Sequence, residues 1–128
     1  MTSTKQELEQ TFRPILKRLN GFSNDIEASA IMTRDGLSIA SVMNENVNPD
    51  RLGAMCASLL SLGDKTASEL ERGKLKQVLI ECESGSVLIV NIGKSAVLAI
   101  VARATSKIGM VFIEAKKAAN DILETKLI

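Results

Sequence analysis

The sequence predicts an α/β domain in which a five-stranded, mainly antiparallel sheet is sandwiched between helices, in the order αββαβββα. Apolar residues recur at helical spacing in three separate stretches. Five short runs rich in strand formers lie among them, most joined by loops too short for a crossover. The last three runs read VLIEC, VLIVNI and VLAIVA, nearly continuous apolar stretches of the kind buried on both faces of a sheet. Helices divided between the two faces would supply that cover, giving an α/β/α sandwich.

Leu8, Phe12, Ile15, Leu16 and Leu19 define the first helix, capped by Ser3 or Thr4 and expected to stop at Asn20-Gly21. Pro14 is awkward in its interior because it lacks the amide needed there, so a kink or a later start is expected. Residues Glu27 to Thr33 and Leu37 to Val42 read as a hairpin turning at Arg34-Asp35-Gly36. Asn48-Pro49-Asp50 offers a cap followed by proline for a long middle helix running to about Arg72-Gly73. Strands at Leu75 to Cys82, Ser86 to Ile92 and Ala96 to Arg103 then form a meander. A last helix begins after Thr105-Ser106, with Ile108, Val111, Phe112, Ala115, Ala118, Ala119, Ile122 and Leu123 on one face.

The middle helix is the most informative element. Leu52, Met55, Cys56, Leu59, Leu62, Gly63, Ala67 and Leu70 fall on one broad face, expected to lie on the sheet. The opposite side carries Ala54, Ala57, Ser58, Ser61 and Ser68, small and uncharged where a solvent face would show Lys and Glu. Small side chains allow a second helix to approach closely, although a surface helix rich in Ala and Ser would read the same way. The strand from Leu75 to Cys82 is expected at a sheet edge, apolar and hazardous unless paired. Pairing with its own copy across a two-fold axis would cover strand and helix together. Ala54, Ala57, Ser58, Ser61, Leu75, Gln77 and Leu79 are therefore the candidate dimer interface.

Composition excludes several functions. At 128 residues the chain fits one domain, 1–128, able to bury roughly two thirds of its unfolded surface without a disulfide or metal. Sixteen basic and fifteen acidic residues leave a charge of +1, no field for phosphate backbones. Phe12, Phe22 and Phe112 are the only aromatics and read as core, so no platform stacks bases and nucleic acid is not an expected partner. Cys56 and Cys82 read as buried reduced thiols. The polar start MTSTKQELEQ and the broken apolar stretch from Val87 to Ala102 suggest a cytoplasmic chain with no membrane insertion.

No catalytic set is visible either. With no histidine, the commonest general base and metal ligand is missing, and two cysteines cannot complete a zinc site. Gly93-Lys94-Ser95 superficially matches the end of a phosphate-binding loop, but Leu88 stands where that loop requires glycine and a strand follows. A hairpin turn explains it better. Glu81 and Glu83 read as the solvated end of their strand. Arg34, Arg51, Arg72 and Arg103 sit near element ends, and spacing selects none as a charge-stabilising finger. Neither catalysis nor a cofactor is expected.

With these motifs in place, the whole chain resembles the roadblock family, which includes roadblock-type dynein light chains and MglB-like regulators of Ras-like GTPases. The likeness rests on Ala30-Ile31-Met32-Thr33-Arg34-Asp35-Gly36-Leu37, the helix LGAMCASLLSLGDKTASEL, the strand GSVLIVNIG and the closing SKIGMVFIEAKKAANDI. It implies strand order 2-1-5-4-3, the middle helix on one face, and the terminal helices on the other. It also implies homodimers, or heterodimers with a paralogue, joined through the middle helix and third strand. The implied function is a regulator of, or docking platform for, a Ras-like small GTPase, with GTPase activation achieved without a catalytic residue of its own. The alternative is a scaffold subunit of a motor or membrane-tethered complex, docked through Met110 and Ile113; together with Lys65 these are the candidate partner-docking residues.

Overall fold

The computed structural model of the chain describes residues 4–44, 46–104 and 107–128. Thr4 caps the first helix, its hydroxyl accepting from the Glu7 amide at 3.1 Å. The elements that follow are α1 (Lys5–Phe22), β1 (Ile26–Thr33), β2 (Ser38–Val42), α2 (Pro49–Glu69), β3 (Gln77–Cys82), β4 (Gly85–Ile92), β5 (Ala96–Arg103) and α3 (Ile108–Glu124). They form one five-stranded antiparallel sheet, β2-β1-β5-β4-β3. Ser3, the alternative first cap, and Thr105-Ser106, after which the last helix was expected to begin, lie outside the described residues.

Strand alternation divides the core in two. Ile31, Leu88, Val90, Leu98 and Ile100 point to the side covered by α1 and α3, where Phe12, Leu16, Val111, Ala115 and Ile122 meet them. Ala30, Met32, Ile89, Val97 and Ala99 point to the other side, covered by Leu52, Cys56 and Leu60 of α2. The near-continuous apolar runs of β4 and β5 therefore feed both layers at once. β3 does not follow them: as the edge strand it lies beyond the helices' full cover and stays half open, with Gln77, Leu79, Glu81 and Cys82 exposed.

Three further expectations are corrected. α1 does not stop at Asn20-Gly21 but runs to Phe22, unbroken through Pro14, and Gly21 does not take a positive φ. Asn20 acts instead as a strut: it accepts from the fully buried Ser29 hydroxyl at 2.6 Å and donates to the Val42 carbonyl at 3.1 Å, tying α1 to β1 and β2. Phe22 and Leu123 are exposed, not core, because they fall at helix ends beyond the sheet. Cys82 is exposed on the edge strand, whereas Cys56 is buried under α2.

Two glycines seat the first hairpin on α2. Gly36 (φ 93°) closes the Arg34-Asp35-Gly36 loop, its amide donating to the Thr33 carbonyl at 3.0 Å. A Cβ at Gly36 would lie 2.5 Å from the Gly53 carbonyl oxygen, and one at Gly53 would collide with the Gly36 carbonyl. Backbone meets backbone at this crossing, which fixes the rotation of α2 about its axis.

Candidate interaction site

With Gly53 turned toward the hairpin, the buried line of α2 is Leu52, Gly53, Cys56 and Leu60. Gly63 faces the Leu75 side chain. This displaces the expected apolar face: Met55 is 52% exposed, Leu62 64%, and Leu70 is exposed as well. Ala54, Ser58, Ser61, Lys65 and Ser68 are exposed as expected, while Ala57 is half-buried beside the Gly36 turn. The exposed side of the helix therefore sets the small residues Ala54, Ser58, Ser61 and Ser68 beside three large apolar side chains, Met55, Leu62 and Leu70, and the charged Arg51, Lys65 and Glu69. The Ser58 hydroxyl folds back on the Ala54 carbonyl at 3.2 Å and that of Thr66 on the Leu62 carbonyl at 2.8 Å, which flattens the surface further.

β3 continues this surface. Among the described residues no strand pairs with its outer edge. Val78 and Ile80, opposite Ile89 and Val87, lie half-buried on the α2 side, while Gln77 and Leu79 lie on the other. Leu79 is 37% exposed. Leu75, expected within the strand, precedes it: its side chain meets Gly63 and its carbonyl accepts from Asn91 Nδ2 at 2.8 Å. On the far side of the molecule, Met110 and Ile113 are exposed on α3 as the helical spacing implied. Met110 joins Phe22 and Val111 in lining a groove of about 460 Å³ between the end of α1 and the start of α3.

A polar cluster that sequence reasoning missed lies beside α2. Arg34 Nη2 donates to both Asp64 carboxylate oxygens, at 2.9 and 2.7 Å, and its Nη1 donates to Asn91 Oδ1 at 2.7 Å. Through Asn91 and Leu75 the first hairpin, α2, β4 and the approach to β3 are linked in one chain of hydrogen bonds. Nothing in local spacing could pair Arg34 with Asp64; only the glycine crossing brings them together. Arg103 is used differently, holding the Asn24 carbonyl at 2.9 Å and Glu27 at 3.3 Å.

Among the described residues no group of three or more Cys, Asp or Glu side chains is placed to hold a metal ion, and no helix is long and apolar enough to cross a membrane. Burial pushes the Cys56 thiol up from 9.0 to about 11, away from the reactive thiolate.

Comparison with known proteins agrees with this architecture. The family model for the Roadblock/LC7 domain matches residues 16–102. An uncharacterized protein of Methanocaldococcus jannaschii, MJ0310, is 33% identical over 108 residues, covering 84% of this chain and 93% of that protein. Among solved structures, Myxococcus xanthus MglB superposes with a TM-score of 0.87 at 17% identity, covering 100% of this chain and 97% of that one. An MglB with a tetrameric arrangement gives 0.81 at 17% identity, covering 95% and 90%. At such identities the solved structures speak for the fold.

Proposed function

The chain belongs to the Roadblock/LC7 family, and from that premise we propose that it is a non-enzymatic, self-pairing module that regulates or docks a Ras-like small GTPase. The observation that carries the self-pairing is the exposure of Met55 and Leu62 on the outer face of α2, beside the free edge of β3. Water contact with those two side chains and with a half-open apolar strand is unfavourable, and a second copy removes both at once. The ends of the strand are also self-complementary. Lys76 precedes it and Glu81 and Glu83 lie at its far end, so an antiparallel pair about a two-fold axis sets basic ends against acidic ones. A parallel pair would oppose like charges.

The proposed interface is Ala54, Ser58, Ser61, Leu75, Gln77 and Leu79 of the original expectation, with Ala57 at its margin and Met55 and Leu62 added. The GTPase part rests on the family and on the fold shared with MglB, and a paralogue in place of a second identical copy fits the same surface. Sedimentation equilibrium at tens of micromolar tests the pairing: a dimer is expected, and a monomer ends the reading. Ser61→Arg should split the dimer while leaving the far-ultraviolet circular dichroism unchanged, since Ser61 is exposed in the single chain. Binding to, and GTP turnover by, Ras-like GTPases of the source organism test the partner.

A second reading, a scaffold subunit without effect on nucleotide turnover, is favoured by the Phe22–Met110 groove and exposed Ile113 on the opposite side of the sheet. Co-purification through that surface with no change in any GTPase's hydrolysis rate would select it. Lys65, exposed on α2, belongs to the first surface and not to this one.

A further inference from the structure

Two glycine-lysine steps from different loops meet at one cleft. Gly73-Lys74 lies between α2 and β3, Gly93-Lys94 opens the turn between β4 and β5, and both glycines have positive φ, 84° and 61°. With Arg34 and Asp64 they line an open cleft of about 340 Å³. Its charged lining is three cations against one anion. Asp64 is committed to Arg34, whereas Lys74 and Lys94 are exposed and take part in none of the ion pairs among the described residues. The excess positive charge of the cleft therefore sits on two free ammonium groups, each held at a glycine turn.

We infer that this cleft binds an acidic peptide segment of a partner protein, its carboxylates meeting the ammonium groups of Lys74 and Lys94. Opposite charge is what such a surface selects. The form of the cleft favours a peptide over a compact polyanion: it is open, it has the apolar Leu75 on its wall, and no aromatic side chain lines it for a base to stack on. The cleft shares Leu75 with the proposed contact between copies and lies at its margin; binding of the segment requires neither that contact nor a GTPase partner.

Hexaglutamate titrated into the isotope-labelled full chain at low salt, followed by amide NMR, is the test, with inorganic pyrophosphate titrated in parallel. Hexaglutamate should shift the amides of Gly73, Lys74, Gly93 and Lys94, and salt of roughly 0.5 M should reverse the shifts. Lys74→Glu combined with Lys94→Glu should weaken binding at least ~tenfold. Asp64→Asn should strengthen it several-fold by unmasking Arg34. Shifts confined to other surfaces, an unchanged affinity in the double variant, or pyrophosphate binding as tightly as hexaglutamate would overturn the proposal. So would loss of self-association by the double variant in sedimentation, which would assign the two lysines to the contact between copies.

Discussion

The crossing of Gly36 and Gly53 leaves no room for a side chain on either residue, and this makes two quiet positions decisive. Gly53→Ala should cost about 2 kcal/mol or more in urea denaturation, because the added methyl group must push the hairpin off α2 and no flexible side chain can yield. Gly21→Ala is the control: nothing lies within 4 Å of its Cβ position, and a helical alanine there should stabilise by up to about 1 kcal/mol. The cysteines part in the same way. Cys82 should react with a thiol reagent in the native protein, and Cys56 only on unfolding. Because the folded Cys56 thiol titrates near 11 instead of 9.0, the folded state holds its proton between those values while the unfolded state releases it. The contribution of Cys56 to stability is thus intact below pH 9 and falls by ~2–3 kcal/mol as pH rises to 11. Urea midpoints across that range should show the fall, and Cys56→Ala should flatten it.

At the scale of elements, what was legible in the sequence was what local periodicity encodes. Helical spacing, the Asp-Gly turn and the Asn48-Pro49 cap placed all eight elements to within a few residues, because each depends on near neighbours. The rotation of α2 was not legible. Leu52, Met55, Leu59, Leu60, Leu62 and Leu70 spread over about half of the helix surface, wider than the line that the sheet covers, so the pattern does not say which edge of that broad face is buried. The Gly36–Gly53 contact decides this, and it exists only in the folded chain. The same limit hid the Arg34–Asp64 pair, although Ser58, Ser61, Gln77 and Leu79 of the candidate interface are exposed in the single chain. α1 shows tertiary structure overriding propensity: Phe12, Ile15, Leu16 and Leu19 bury their side chains on the sheet and carry the helix through Pro14. Pro14 is exposed and forfeits the bond to the Gln10 carbonyl. Pro14→Ala should therefore raise stability by about 2 kcal/mol in urea denaturation, the restored bond and relieved clash outweighing the ~1 kcal/mol of added unfolded-chain freedom.

For the whole molecule, one edge of the sheet is defended and the other is not. β2 is fastened by α1, with Arg13 donating to the Ser41 carbonyl at 3.2 Å and Asn20 to that of Val42 at 3.1 Å. β3 has an open edge flanked by exposed Met55 and Leu62, so growth of the sheet through a second copy is possible on one side only, and a closed pair results instead of a fibre. If the pair is what holds the β3 side together, unfolding must separate the copies, and stability then depends on protein concentration. Raising the concentration a hundredfold adds about 2.7 kcal/mol per pair, enough to lift the thermal midpoint by roughly 5 °C in a domain of this size. Leu62→Arg places a charge at the centre of the proposed contact while disturbing nothing buried in the single chain. Its midpoint should be independent of concentration and lower than that of the parent at every concentration where the parent pairs. Calorimetric scans of both proteins from about 1 to 100 µM decide the matter: parallel, concentration-independent midpoints would mean that β3 and α2 face water in the working molecule.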